Sequence, residues 1–432
     1  MKNRKALALI AILALVAAAC GGSDGGSDEA VVEVETTEAP ATTEAPTTTA
    51  APAPASDPLI LASLMPLSGD LASLGPGIAL GAALAVEQIN AAGGINGQPV
   101  QLIEGDSGCD GAVALTSLND VIAQGAQGVM GAACSSTSLA ILDTAIAAEV
   151  VMISPSNTSP QFTKIDKKGF YARTAPSDLL QGDVLASLLV EDGVQTVSII
   201  SRADSYGRGL AEATAAAFEA AGGTVKTIVY HATDASEFTS EVTAVGKGGA
   251  DAIVGILFPE TGCGVLQPAF EQGLLDTPWY MTDGVKDAGL ASLCGLGTAL
   301  DGFKGTAPGS AAGEAKDAFE AAYAEVSADG SPTFIFAPQA YDAVMLMAIS
   351  AAANGVTGPE IASGLVAASS GGEKCIGVAC IALAADGVDV DYVGASGEIE
   401  LNAVGDPTAA TYDIWTTEGD TNPVLKSVYF GS

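Results

Sequence analysis

From Leu59 onward, short apolar runs alternate with longer stretches of helical spacing, and this rhythm restricts the available folds more than any other feature. Leu59 to Met65 reads as a strand. Gly77 to Ala91 then carries Ile78, Leu80, Ala82, Ala85 and Ile89 at helical spacing, and Gly93-Gly94 stops it. Val100 to Glu104 predicts the next strand and Ala112 to Ala123 a helix. Gly128 to Gly131 and Val150 to Ile153 predict buried strands, with a helix over Ser138 to Ala148 between them. The rhythm returns with strand Thr196 to Ile200, helix Gly207 to Ala221, strand Val225 to Tyr230, helix Glu237 to Lys247 and strand Ala252 to Leu257. Apolar strands each followed by a helix belong to parallel sheets covered on both faces. Two such sets imply two α/β lobes, and open α/β sheets bind ligands beyond the carboxyl ends of their strands. After Gly305 come helices over Glu314 to Ser327, Pro338 to Asn354 and Pro359 to Ala368, then β-like Thr411 to Trp415 and Val424 to Phe430. No short solenoid-type repeat interrupts the pattern.

The first 57 residues do not share it. Lys2, Arg4 and Lys5 precede an apolar stretch, Ala6 to Ala19, that is shorter than the roughly 20 residues a bilayer span needs. It reads as an export signal. It ends in Leu15-Val16-Ala17-Ala18-Ala19-Cys20-Gly21-Gly22, which resembles a bacterial lipobox, with Ala17 where Leu is usual. That resemblance implies cleavage before Cys20, acylation of its thiol, and a lipid anchor on the extracytoplasmic face of the membrane; plain cleavage with a free Cys20 is the alternative. Residues 21–57, rich in Gly-Ser-Asp and then Thr-Glu-Ala-Pro, have almost nothing to bury and read as a disordered tether.

The chain holds 51 acidic against 16 basic residues among 432. Without the three basic residues of the signal segment, 13 remain against 51, a net of −38. Such a charge repels nucleic acid and anionic lipid alike, so neither is expected as a partner. Of the seven cysteines, six follow Cys20 in sequence: Cys109, Cys134, Cys263, Cys294, Cys375 and Cys380. An even number in an exported chain predicts disulfides, with connectivity open at this point. With one histidine, His231, no metal site or cofactor is expected.

Four strand ends gather the chemistry. They are Met65-Pro66-Leu67-Ser68-Gly69-Asp70, Gly131-Ala132-Ala133-Cys134-Ser135-Ser136-Thr137, Ile153-Ser154-Pro155-Ser156-Asn157-Thr158, and Tyr280-Met281-Thr282-Asp283-Gly284. The second and third place hydroxyls and free N–H groups where a strand turns into a helix. A helix N-terminus carries about half a positive charge, so a small carboxylate can bind there without Arg or Lys. Ser and Thr also cap helices at such places, and either role fits the residues taken alone.

The order of these segments is more specific. Leu67-Ser68-Gly69, Glu87-Gln88-Ile89-Asn90-Ala91-Ala92-Gly93-Gly94-Ile95-Asn96-Gly97 and Asp106-Ser107-Gly108-Cys109-Asp110 resemble the opening of periplasmic leucine/isoleucine/valine-binding proteins. Cys134-Ser135-Ser136-Thr137, Met152-Ile153-Ser154-Pro155, Arg173-Thr174, Gln181-Gly182 and Tyr206-Gly207-Arg208-Gly209-Leu210 continue it in order. The resemblance implies a type I periplasmic binding fold, two doubly wound lobes joined by three hinge crossings near 175–178, 305–308 and 406. Lobe 1 is then expected over 58–177 and 306–406, and lobe 2 over 178–305 and 407–432. It implies an extracytoplasmic, monomeric solute-binding component that delivers an amino acid to an ABC permease, and not an enzyme.

The same resemblance places Ser135, with Ser136 beside it, on the ligand carboxylate, and gives Ser156 and Thr158 backbone and hydroxyl contacts. Asp283 stands where the family has a glutamate for the α-ammonium, and Tyr206 matches an aromatic of the opposite lobe. Leu74 and Phe258 depart from the aromatic and tyrosine expected there, so the branched-chain preference stays open. An amide, urea or an aromatic or short carboxylic acid is the alternative ligand, and a ligand sensor the alternative role. The resemblance also implies a Cys109–Cys134 bridge, after which Cys375–Cys380 and Cys263–Cys294 are the expected remainder. Gly105-Asp106-Ser107-Gly108 looks like a serine-protease loop, but that chemistry needs a histidine base, and His231 is expected on the surface of the other lobe.

Overall fold

The apolar runs pair into two separate sheets. The computed structural model describes residues 57–235, 237–331 and 334–430. The signal segment, Cys20 and the tether up to Ser56 lie outside the described residues. The first half contains β1 (Ile60–Met65), α1 (Gly75–Ala91), β2 (Gln101–Asp106), α2 (Gly111–Ala123), β3 (Gly128–Gly131) and α3 (Ser135–Ala147). It continues through β4 (Val151–Ser154), the single turn α4 (Gln161–Lys164) and β5 (Tyr171–Arg173). These strands form a wholly parallel sheet in the order β2-β1-β3-β4-β5.

The chain then enters α5 (Asp178–Glu191), β6 (Thr196–Arg202), α6 (Ser205–Ala220), β7 (Thr224–His231), α7 (Thr239–Gly246), β8 (Ala252–Ile256) and α8 (Pro259–Glu271). β9 (Trp279–Met281), the short α9 (Leu290–Leu293) and β10 (Lys304–Pro308) follow. Next come α10 (Glu314–Val326), α11 (Ala337–Asn354), α12 (Gly358–Gly364), β11 (Glu373–Ile376), α13 (Ala379–Ala385), β12 (Val390–Gly394) and β13 (Gly397–Glu398). The last two strands, β14 (Ala410–Thr416) and β15 (Val424–Phe430), complete a second sheet ordered β15-β14-β10-β9-β8-β6-β7. Its first five strands in sequence are parallel, while β14 and β15 run antiparallel.

Thr306, Ala307 and Pro308 were expected in the first lobe but lie in the second sheet, because β10 pairs along its whole length with β14. The second crossing therefore falls after Pro308. His231 is a second correction. It is fully buried rather than at the surface, its ring 4.5 Å from Phe238 and its Nδ1 2.8 Å from the Ala232 carbonyl. Phe238, at the N-cap of α7, packs against the imidazole at the end of β7.

The first sheet is covered on one face by α2 and α3, whose Leu118, Val121, Ile141 and Leu142 pack with Leu64, Val129 and Met152. α11 covers the other face together with α1. Every residue of α11 from Ala337 to Ala351 is buried, since α1, α12, α13 and the strands surround it. Each large apolar side chain so buried stabilises the fold by about 1.5–3 kcal/mol. Gly81 permits the close crossing of α1 and α11, because a Cβ there would stand 2.2 Å from the Ala337 carbonyl oxygen. Disulfides join Cys109 to Cys134, Cys263 to Cys294 and Cys375 to Cys380, with Cα separations of 5.4, 4.9 and 5.4 Å.

Candidate functional site

In the first sheet the chain winds outward in both directions from the junction of β1 and β3, and in the second from that of β6 and β8. Crevices beyond the carboxyl ends of strands at such switch points are where open α/β sheets take ligands. Leu71 and Leu74 follow β1, Ser135 follows β3 and Ser156 follows β4. Across from them, Tyr206 follows β6, Phe258 follows β8 and Asp283 follows β9. These residues surround one cavity, together with Ile78, Ala133, Gly284 and Phe336.

α3 starts at Ser135, earlier than the expected Ser138, so Ser135 and Ser136 occupy its first turn, where N–H groups lack intrahelical partners. The Ser135 hydroxyl accepts from Ser159 N–H at 3.4 Å, and Ser156 donates to the Ala133 carbonyl at 3.1 Å. Ser136 and Thr158 are not among the cavity-lining residues. Thr158 is fully buried. The loop that carries Leu71 and Leu74 is tied down by Asp106, which accepts from Leu67 N–H at 2.9 Å and from the Ser68 backbone and hydroxyl.

The opposite wall is acidic. Asp283 accepts from Gln181 Nε2 at 2.7 Å and from the Tyr206 hydroxyl at 2.9 Å. Burial pushes its carboxyl up to about 6, although both donors pull the other way. Gln181 also donates to the Thr306 carbonyl, so β10 fixes its amide. Asp178, the first residue of α5, is completely buried, and the Thr158 hydroxyl is the donor beside its carboxylate. Burial and the neighbouring Asp283 push Asp178 well above the ordinary aspartate range. No Lys or Arg lines the cavity. Two buried carboxylates without a cation fit a positively charged ligand group, which would supply the missing countercharge.

Sequence reasoning did not single out Asp178, Gln181, Leu71, Ile78 or Phe336. A buried acid is recognisable only from its surroundings, and Phe336 joins the wall from the start of α11, far along the chain. Tyr206 stacks on Phe258 at 5.3 Å between centroids, so Phe258 contributes a face where a hydroxyl was absent. Among the described residues, no cluster of His, Cys, Asp or Glu could hold a metal ion, and no helix is long and apolar enough to cross a membrane.

The arrangement has known counterparts. Residues 58–374 match the family model described as periplasmic binding protein. An amino acid binding protein from Pseudomonas aeruginosa is 34% identical over 238 residues, which cover 53% of this chain and 62% of that protein. The match thus spans less than two thirds of that relative's length. The leucine-, isoleucine-, valine-, threonine- and alanine-binding protein of the same organism is 30% identical over 304 residues, covering 68% of this chain and 78% of that one. A branched-chain amino acid transporter substrate-binding protein from Streptococcus pneumoniae, solved with isoleucine, superposes with a TM-score of 0.72 at 22% identity, covering 87% of this chain and 99% of that one. The chain belongs to the periplasmic binding protein family, has the type I fold, and is similar to leucine/isoleucine/valine-binding members of that family.

Proposed function

We propose that this chain is the extracytoplasmic solute-binding component of an ABC importer and captures a free α-amino acid between its two lobes. The observation that carries this reading is the pairing of the two cavity walls. Buried Asp283 stands ready for an ammonium group, with Asp178 adding negative charge from behind the wall, while the first turn of α3 and the hydroxyls of Ser135 and Ser156 suit a carboxylate. Leu71, Leu74, Ile78, Phe258 and Phe336 leave an apolar wall for the side chain. In this reading Thr158 and Ser136 support the carboxylate end from just outside the cavity, and closure of the lobes exposes the form that a permease recognises.

Calorimetry over the common amino acids, simple amides and aromatic acids tests it. An aliphatic amino acid should bind saturably, and Asp283→Ala should weaken it at least about a hundredfold, the usual consequence of deleting one partner of a buried charged pair. Binding of an amide or a plain acid with no amino acid response would replace the reading.

We further infer export and anchoring through Cys20, with residues 21–57 as the spacer between membrane and binding lobes. The small residues before Cys20 and the Thr-, Pro- and Glu-rich composition that follows support this. Incorporation of labelled palmitate checks it.

A further inference from the structure

The mouth of the cavity carries polar contacts between the lobes that no ligand-facing role explains. Arg202, at the end of β6, is almost fully buried and pairs through Nη2 with Asp70 of the β1–α1 loop at 2.8 Å. Its other contacts lie within its own lobe. Nε meets Asp204 at 2.9 Å, Nη1 donates to Thr261 at 2.9 Å, and the guanidinium lies 3.9 Å from the centre of the Phe258 ring. One residue beyond Asp70, the Leu71 N–H donates across the mouth to Glu260 at 2.9 Å, and Ser73 donates to the same carboxylate at 3.4 Å. Leu71 itself lines the cavity.

We propose that Asp70 and Arg202 form a latch that holds the lobes closed over the cavity, with Glu260 on the Leu71 amide as a second catch. Arg202 is also the positioning residue that links this latch to the ligand wall. It clamps Phe258, which stacks on Tyr206, which in turn donates to Asp283. The geometry favours a latch over a static surface pair because Arg202 keeps partners in its own lobe when Asp70 moves away. Asp204, Thr261 and Phe258 hold it ready in its own lobe, so the Asp70 contact forms or breaks with closure alone. That closure serves solute capture rests on the reading proposed above; the latch itself is a property of the two lobes.

Amide hydrogen exchange at Leu71 in the full chain reads the mouth directly, with and without L-leucine. Asp70→Asn and Glu260→Gln should each speed Leu71 exchange by about three- to tenfold, the size of a partly exposed ion pair or charged hydrogen bond, with Asp70→Glu restoring protection. Raising NaCl from about 0.05 to about 0.5 M should reproduce part of the effect in the unsubstituted chain and none in Asp70→Asn. If leucine binds, its release should quicken by a similar factor in Asp70→Asn while association stays unchanged. Asp70 is partly exposed, so the substitution leaves the fold intact, which an unchanged melting temperature verifies. Leu71 exchange unmoved by Asp70→Asn and by salt, both with and without leucine, overturns the latch. Faster exchange without any leucine binding overturns the ligand reading and leaves the latch standing.

Discussion

Asp283 holds its proton more tightly than an ordinary aspartate because burial denies its charge a solvent shell, and its value of about 6 makes binding pH-dependent. An ammonium ligand favours the ionised form, so protons and ligand compete for this carboxylate. Affinity should be flat above neutrality and fall as pH drops through 6, by about tenfold at pH 5 for one competing proton. Calorimetry at pH 5, 6 and 7.5 checks this, and an affinity that rises on acidification contradicts the ammonium contact. The sign for stability is opposite. The folded value lies above the unfolded one of about 3.9, so the ligand-free fold binds more protons and loses stability as pH rises from about 4 to about 6. Asp283 could be read as a candidate from its place after an apolar run. Asp178 could not, because only the fold shows that it is buried beside Asp283.

Among the elements, β5 and the third crossing are locked by one buried network. Arg173, fully buried, donates through Nε and Nη2 to both Asp406 oxygens at 2.9 and 3.0 Å, and through Nη1 to the carbonyls of Asn157 and Ser159 at 3.0 Å. The segment carrying Ser156 and Thr158 thus hangs on the same guanidinium as the hinge. Burial pulls the Asp406 carboxyl up, but Arg173, Thr163 and Lys167 outweigh it and hold it below its ordinary value. A lowered folded value stabilises above the unfolded one and is lost on acidification, so this contribution should vanish below about pH 4. Arg173→Met should cost about 3–5 kcal/mol in urea unfolding at pH 7, since it strands a buried carboxylate. The cost should shrink at pH 3; an equal cost at both values would show that packing, not charge, is at work. Element positions were largely legible here. The helices and most strands announce themselves by local patterning, whereas the small β11-β12-β13 sheet is too short to carry a period and exists only through its pairing.

For the molecule as a whole, charge and attachment are linked. A net of −38 after the signal segment repels anionic headgroups, so the binding lobes gain no electrostatic hold on a membrane. In the reading proposed above, retention comes from acyl chains at Cys20. Cys20→Ser should release the protein into the medium or periplasmic fraction with its ligand binding intact, as fractionation would show; continued membrane association would point to another anchor. What the amino-acid sequence determined by itself was the class of fold and the strand ends where chemistry gathers, because periodicity and turn residues are local properties. The tertiary structure decided which of those strand ends face one another and where the second crossing falls. It also buried His231 against Phe238, set Asp178 beside Asp283, and set Asp70 against Arg202 across the mouth. Those outcomes depend on groups brought together from opposite lobes, where burial and pairing set the energies, and no local pattern along the chain encodes them.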